Sequence, residues 1–359
     1  MTRTEALLVL NAIGLNHRQI TKGIKVFGSG PKILRAGGED LQKVFSAGLA
    51  EKISCFDRDT FLKSEYDLVR KEDVRVVTYP EEIYPFRLKH IPDAPFVLYI
   101  KGNLLPTDQT AVSIVGARRA SMYGITQARR FARELASLSI TIVSGLAKGI
   151  DAAAHHGALE SGGRTIAVLG SGIGCIYPKE NRCLAGEIAG NGAVISEFPM
   201  ATEPMPFHFP RRNRIVSGLS LGTVVVEAAR RSGALITART ALEQGRDVFA
   251  VPGRIDQPNT AGVHQLIKDG AKLILDTEDV LSELQTELQD ILRTEKRQEP
   301  PVKQPRARHK ILDFIHKEPI HIDTLRTKIE HVEDLDRLLL DLEFRKVIKR
   351  LPGSFFVLN

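Results

Sequence analysis

Three segments of the sequence combine glycine with residue types that can hold a phosphate group. They are GARRAS at 116–121, SGLAKGID at 144–151 and GSGIG at 170–174. Glycine lets the backbone approach a phosphate closely, and the free amides at the start of a helix donate hydrogen bonds to it. Two of the segments add lysine or arginine beside those amides. Their chemistry favours a phosphate-containing ligand.

Two further segments add stacking groups to this positive charge. YPKENR at 177–182 carries Lys179, and PFHFPRRNR at 206–214 interleaves phenylalanine with three arginines. Arginine grips phosphates in a bidentate manner and stacks on bases, and aromatic rings offer platforms for unpaired bases. We therefore predict sequence-tolerant binding of single-stranded DNA. The alternative is that the phenylalanines belong to the core and the arginines form surface ion pairs.

The same residues argue against several common activities. The first glycine turn lacks the G-x-G-x-x-G pattern of dinucleotide-binding proteins, and no Walker A sequence is present. His155 and His156 are adjacent on a predicted helix and point to different faces, so a shared metal is not expected. The three cysteines have no CxxC spacing. We expect no catalytic set, no metal and no cofactor.

These segments require a scaffold that brings them to one edge. Short apolar runs end in glycine and alternate with predicted helices at about 122–138, 149–161 and 233–244. The runs lie at 111–116, 140–145, 165–170, 193–196, 222–226, 247–251 and 272–275. Strands that alternate with helices predict an α/β fold with a Rossmann-like, doubly wound, mostly parallel sheet. In such a sheet, ligands bind at the carboxyl ends of the strands.

The flanks of this core have different compositions. Residues 1–70 read as short helices punctuated by glycine, similar to SAM-like or helix-hairpin-helix modules. The core covers 71–292 and begins with a lead-in of two strands at 71–107. A basic linker with prolines follows at 293–310, and 311–359 shows the helix and hairpin pattern of a winged-helix domain.

The charge balance favours a polyanionic partner. The net charge is +7 and the isoelectric point about 9.3, which suits nucleic acid or anionic lipid. No apolar stretch reaches the roughly 18 residues of a membrane span. We expect a cytoplasmic protein with no membrane association.

Five ordered motifs resemble those of the DNA-processing protein A (DprA or Smf) family. They are VGARRAS at 115–121, SGLAKGID at 144–151, YPKEN at 177–181, FPRRNRI at 209–215 and GTVVVEA at 222–228. The resemblance implies binding and protection of incoming single-stranded DNA during natural transformation and homologous recombination. It also implies loading of the RecA recombinase, displacement of single-strand-binding protein, and a homodimer formed through the core.

The matching positions define an expected DNA-binding site. The resemblance implies phosphate contacts from the basic residues and backbone or hydroxyl contacts from glycine and serine. The expected site comprises Gly116, Arg118, Arg119, Ser121, Ser144, Gly145, Lys148, Gly170, Lys179, Asn181, Phe209, Arg211, Arg212, Asn213 and Arg214. Ala117 departs from the serine that many relatives carry, which would remove one hydroxyl contact.

An enzyme is the alternative function. The stretch from Gly222 to Glu227 is similar to the Gly-Thr-x-x-Glu motif of nucleotide phosphoribohydrolases, in which the glutamate assists glycosidic cleavage. Those enzymes normally carry two glycines just before the motif, and Leu219-Ser220-Leu221 replaces them here. From the sequence, Glu227 could hold a ribose, act as a base or pair with an arginine such as Arg214.

Overall fold

A computed structural model describes residues 1–288 and, beyond them, residues 315, 319–328, 335, 339, 342, 348–351 and 355–358. The chain divides into two compact units, Met1–Ile291 and Leu292–Asn359. The predicted linker at 293–310 lies outside the described residues. In the described part, no helix has both the length and the apolarity that crossing a membrane requires.

The first unit begins with six helices, in agreement with the helical pattern of residues 1–70. They span Arg3–Ile13 (α1), His17–Phe27 (α2), Gly30–Arg35 (α3), Gly38–Gln42 (α4), Ala47–Cys55 (α5) and Arg58–Lys71 (α6). Thr2 and Asn16 begin the first two helices with reciprocal capping boxes. Gly14 ends α1 with a φ of 94°, a conformation that glycine adopts without strain. These local signals are the glycine punctuation that the sequence displays.

A nine-stranded sheet forms the centre of this unit. Its strands are Val74–Thr78 (β1), Val97–Gly102 (β2), Ala111–Val115 (β3), Thr141–Ser144 (β4), Thr165–Val168 (β5), Gly192–Ser196 (β6), Gly222–Val225 (β7), Asp247–Ala250 (β8) and Lys272–Leu273 (β9). Their order is β1-β2-β6-β5-β4-β3-β7-β8-β9. Strands β3 to β9 pair in parallel, and β1 and β2 add an antiparallel edge. The predicted fold class is confirmed, and the lead-in strands belong to the same sheet.

Helices cover the sheet between its strands. They are Phe86–Lys89 (α7), Met122–Ser137 (α8), Ile150–Glu160 (α9), Arg182–Asn191 (α10), His208–Gly218 (α11), Gly233–Glu243 (α12), Ala261–Lys268 (α13) and Thr277–Glu283 (α14). The chain runs from β3 through β4 and β5 to β6, then returns to the other side of β3 as β7. The neighbouring ends of β3 and β7 thus form the topological switch point, where open α/β sheets bind ligands.

One helix lies where the sequence pattern predicts none. The FPRRNR segment at 209–214 lies in α11. Pro210 occupies the first turn, where its missing N–H removes no helical hydrogen bond. Arg212, Ile215 and Val216 are buried, so the helix turns Arg212 inward and places its neighbouring arginines on other faces.

The N-terminal helices and the sheet share one hydrophobic core. Leu7 and Leu10 of α1 belong to the same buried cluster as Val97 and Tyr99 of β2. The carboxylate of Glu65 in α6, which is 2% exposed, accepts a hydrogen bond of 2.9 Å from the Met200 backbone N–H. Residue 70 therefore marks the end of a helical segment within one compact unit.

His155 on α9 gives the fold a pH dependence. Its Nδ1 lies 2.7 Å from the hydroxyl of Thr165, which itself donates to the Ile142 carbonyl, so His155 must carry its proton on Nδ1. Burial lowers the pKa of His155 from 6.5 to about 3, with His156 and Arg212 adding to the shift. The native state therefore binds fewer protons than the unfolded chain between these two pH values.

We expect the free energy of unfolding to fall by on the order of 4 kcal/mol from this group as the pH drops from 6.5 towards 3. His155→Asn keeps a donor for Thr165 and has no ionisation in this range, so its stability should decline less steeply. Urea denaturation of both proteins between pH 4 and 8 measures the difference in slope. Parallel curves for the two proteins would contradict the assignment.

The second unit contains a small antiparallel sheet. Ile320–His321 (β10) pairs with Phe355–Leu358 (β12), which pairs with Ile348–Leu351 (β11). Ile322–Lys328 (α15) follows β10, and Leu325 joins a buried apolar cluster of this unit. The winged-helix assignment stays a prediction, because most of the residues from 311 to 359 lie outside the described part of the chain.

Candidate nucleic-acid interface

A cavity of about 320 Å³ opens at the switch point of the sheet. Its walls come from the β3–α8, β4–α9 and β7–α12 loops, from α11, and from Asn259 in the β8–α13 loop. The expected site residues that line it are Gly116, Arg118, Arg119, Gly145, Phe209, Arg212 and Asn213. Two of the three glycine segments and the arginine-rich segment thus converge as the sequence predicts, although the last is helical. No residue of the third glycine segment, GSGIG at 170–174, lines the cavity.

Arg118 and Phe209 stand together at the cavity. The Arg118 guanidinium carbon lies 4.8 Å from the centre of the Phe209 ring, and Arg118 is exposed. The ring packs against Gly170, where a Cβ would lie 2.8 Å from a ring carbon. Tyr177 adds a second ring whose centre is 5.8 Å from that of Phe209. This pairing offers an exposed cation and aromatic surface to one ligand.

Arg212 contributes a buried charge to the same cavity. It is 4% exposed, donates from Nη1 to the Val168 carbonyl, and leaves its Nε without a partner in the described residues. Burial lowers the pKa of Arg212 to about 10, so it remains a cation at neutral pH. A Cβ on Gly145 would overlap the guanidinium, which explains the need for glycine there.

Asp151 lines the cavity close to this cation. Its Oδ2 accepts from the backbone N–H groups of Gly145 (3.2 Å) and Ala147 (3.4 Å). Burial raises the pKa of Asp151, and the charge of Arg212 opposes that shift. The Asp151 carboxylate holds the backbone of the β4–α9 turn through these two hydrogen bonds. Arg118 and Arg119 are exposed and give the outer part of the cavity a positive charge.

Arg211 and Arg214 are directed elsewhere. Both pair with the buried carboxylate of Glu197, at 3.0 Å for Arg211, and Arg214 also lies 3.4 Å from Asp93. Neither lines the cavity. The possible pairing of Arg214 with Glu227 is wrong, because Arg214 pairs with Glu197 and Asp93. Arg211 keeps about a third of its side chain exposed, so it can still meet a ligand beside the cavity.

Glu227 is engaged within the fold. Its carboxylate accepts from the backbone N–H of Ser121 at 2.9 Å and from the Ser121 hydroxyl. The same hydroxyl caps α8 by accepting from the Gly124 N–H. Ser144 is buried and donates to the Ile114 carbonyl at 2.6 Å. In this structure both serines hold the loops in place, and Glu227 is 2% exposed.

The YPKEN segment flanks the cavity. Lys148 forms an exposed ion pair of 2.6 Å with Glu180, which links the β4–α9 turn to this segment. Asn181 donates to the Leu146 carbonyl at 2.8 Å. Lys179 is exposed and has no ion-pair partner among the described residues. Within the described residues, the segment therefore supplies an unpaired cation, Lys179, and the carboxylate of Glu180 that neutralises Lys148.

Sequence reasoning missed two cations at the cavity rim. Arg230 and Arg231 are exposed and stand in the β7–α12 loop, between the cavity-lining Ala229 and Ser232. They have no ion-pair partner in the described part of the chain. The RRSG sequence at 230–233, just before the helix predicted at 233–244, was the available signal. Asn259 comes from the β8–α13 loop, in which Arg254 forms an ion pair with Asp256.

The fold and the cavity define a Rossmann-like protein with an arginine-lined cleft at its switch point. The chain belongs to the family of DNA recombination-mediator protein A, whose model matches residues 75–285. The resemblance predicted from the five sequence motifs is confirmed.

Relatives from several bacteria extend this match. The DNA processing protein DprA of Streptococcus pneumoniae is 39% identical over 282 residues, which cover 77% of this chain and 96% of that protein. Protein Smf of Escherichia coli is 44% identical over 237 residues, 66% of this chain. That alignment covers 63% of the Escherichia coli protein, less than two thirds of its length.

Two solved structures have the same architecture. The X-ray structure of DprA from Streptococcus pneumoniae superposes with a TM-score of 0.63 at 38% identity and covers 79% of this chain and 98% of that one. DNA processing protein A from Helicobacter pylori gives 0.53 at 30% identity, with 59% and 97% covered. The latter structure is described in terms of its single-stranded DNA binding mode.

Proposed function

We propose that this protein binds single-stranded DNA at the carboxyl edge of its sheet and serves DNA recombination, with incoming transforming DNA as its substrate. The observation that carries the proposal is the exposed Arg118 above Phe209, at a cavity that also holds the buried charge of Arg212. The binding mode described for the Helicobacter pylori relative supports it.

The arrangement favours a single strand over a duplex. Cation and ring at one cavity suit a phosphate and an unstacked base of the same strand. In a duplex the bases are paired and stacked, so their faces cannot reach Phe209. Lys179, Arg230 and Arg231 are exposed around the opening and extend the positive surface to neighbouring phosphates. Such a site has little means of reading base identity, which suits a protein that receives DNA of any sequence.

Partners follow from the family's role in recombination. We propose that the bound strand is protected, that RecA is loaded onto it, and that single-strand-binding protein is displaced. We further propose a homodimer in the cytoplasm, and action by binding without catalysis. The engagement of Glu227 by Ser121 supports the last point. Incubation with nucleoside monophosphates should release no free base.

Fluorescence anisotropy tests the function directly. The protein is titrated against single-stranded and duplex oligonucleotides of equal length over a range of salt. We expect strong preference for the single strand and an affinity that falls steeply with salt, because each phosphate contact releases counterions. Equal or negligible binding of the single-stranded and duplex oligonucleotides would contradict the proposal.

The exposed pair of Lys148 and Glu180 gives a second test. The carboxylate of Glu180 pairs with the Lys148 ammonium group beside the cavity. Its negative charge also repels phosphate. Glu180→Gln should strengthen single-strand binding by about threefold at low salt, and Lys148→Ala should weaken it by about the same factor. Both effects should shrink at high salt.

Glu160→Gln provides the matched control for this pair. Glu160 forms an ion pair with Arg129 at the opposite end of α9, so its replacement changes the net charge equally without altering the interface. An equal gain of affinity in Glu160→Gln would show that net charge, and not position, produces the effect.

A further inference from the structure

An apolar ledge lies beside the cavity and has no role in the interface as described above. It consists of Met122 and Tyr123 at the start of α8 and Ile255 in the β8–α13 loop, which are 76%, 46% and 94% exposed. Three large apolar side chains exposed on two segments that are hydrogen-bonded to each other are unusual unless something covers them.

The two segments that carry the ledge, the start of α8 and the β8–α13 loop, are hydrogen-bonded to each other. The Tyr123 hydroxyl donates to the Pro252 carbonyl at 2.8 Å, and the Asn259 amide donates to the Arg119 carbonyl at 2.9 Å. Within the β8–α13 loop, the Thr260 hydroxyl donates to the Arg254 carbonyl at 2.6 Å. The exposed side chains are therefore presented on a braced backbone.

The ledge is continuous with the cavity. Arg119 and Asn259, which are hydrogen-bonded to each other, both line the cavity. Met122 follows Arg119 by three residues, and Ile255 precedes Asn259 by four. A strand that leaves the cavity over the β3–α8 loop therefore meets the ledge next.

We propose that the ledge is a second base-binding surface, on which bases of the same DNA strand pack after they leave the cavity. Unpaired bases have apolar faces that suit Met122, Tyr123 and Ile255, and the exposed Arg119 between the cavity and the ledge suits the intervening phosphate. The inference rests on the proposed single-strand binding and adds a contact that bears no charge.

Because Met122, Tyr123 and Ile255 carry no charge, their contribution to DNA affinity can be distinguished from that of the phosphate contacts by its salt dependence. Met122→Ser/Ile255→Ser should weaken binding of a 20-nucleotide single strand about tenfold, in the range of base-stacking contacts. The dependence of affinity on salt should stay unchanged, because no phosphate contact is lost. Val26→Ser, at a 59% exposed position on α2, is the matched control and should bind like the parent.

Abasic oligonucleotides sharpen the test. With a 20-nucleotide strand that lacks bases outside a short central segment, the parent should lose affinity and the double variant should bind no worse than the parent. Tyr123→Phe keeps the ring, loses the bond to Pro252, and should retain most of the affinity for the fully based strand.

The outcomes separate the two proposals. If the parent binds no single strand, the proposed function fails and the ledge with it. If the parent binds and the double variant binds the fully based strand equally well, the ledge inference alone is overturned. A reduced affinity accompanied by a reduced salt dependence would also overturn it, because the ledge would then act through phosphates.

Discussion

Arg118→Ala should weaken single-strand binding by about 10- to 100-fold, the largest loss of affinity expected from an exposed residue of this protein. Arg118 is exposed and has no ion pair in the described residues, so its replacement removes no contact with a carboxylate. Its guanidinium lies over Phe209, where it can meet a phosphate and a base together. The slope of log affinity against log salt should fall by about one unit.

Two further variants resolve this effect into charge and stacking. Arg118→Lys keeps the positive charge but loses the planar group, so it should retain the salt slope and recover part of the affinity. Phe209→Leu keeps the charge of Arg118 and removes the ring, so it should lower affinity with little change in slope. Anisotropy titrations at three or more salt concentrations measure both quantities.

A matched control separates the site from the net charge. Arg75 is exposed on β1, at the far edge of the sheet from the cavity, and Arg75→Ala makes the same change in net charge. It should bind within about twofold of the parent. Comparable losses of affinity in Arg75→Ala and Arg118→Ala would mean that single-stranded DNA binds through the net charge of the protein and not at the cavity.

The convergence of the site was predictable because it depends on the sheet. Continuous apolar runs that end in glycine fix both the strands and the edge at which their loops meet. That logic correctly brought GARRAS, SGLAKGID and the start of α12 to one cavity. Any parallel sheet with these loops would gather them in the same way, whatever the details of packing.

The direction of individual side chains was not predictable from residue type. Arg211, Arg212 and Arg214 have the same chemistry, and the phase of α11 decides that one enters the cavity and two meet Glu197. The sequence around Pro210 gives little sign of a helix. The direction of each arginine side chain around the axis of α11 therefore could not be predicted. Likewise, Ser121 looks like a phosphate ligand until Glu227, 106 residues further on, is seen to accept both of its donors.

Arg212 is a predicted DNA contact, and its buried charge should also affect the stability of the fold. It is buried with Asp151 nearby, and a buried charge that loses its opposing partner is costly. We expect Arg212→Met to lower the free energy of unfolding by roughly 3–5 kcal/mol. Equilibrium urea denaturation measures the loss, and the anisotropy assay on the folded fraction should show weakened single-strand binding as well.

The pH dependence of this loss identifies its cause. Burial raises the pKa of Asp151, and Arg212 opposes the shift, so removing Arg212 should raise that pKa further. An acid whose pKa is higher in the native state than in the unfolded chain destabilises the fold as the pH rises above the unfolded value of 3.8. The instability of Arg212→Met should therefore be greater at pH 8 than at pH 5.

The double variant Arg212→Met/Asp151→Asn completes the test. Asparagine has no charge to bury and keeps a carbonyl oxygen that can accept from the Gly145 and Ala147 amides. The double variant should thus recover part of the stability and lose the added pH dependence, a coupling that a double-mutant cycle measures. If Arg212→Met is within about 1 kcal/mol of the parent at both pH values, Arg212 does not stabilise the cavity. Its burial would then reflect packing of α11 alone.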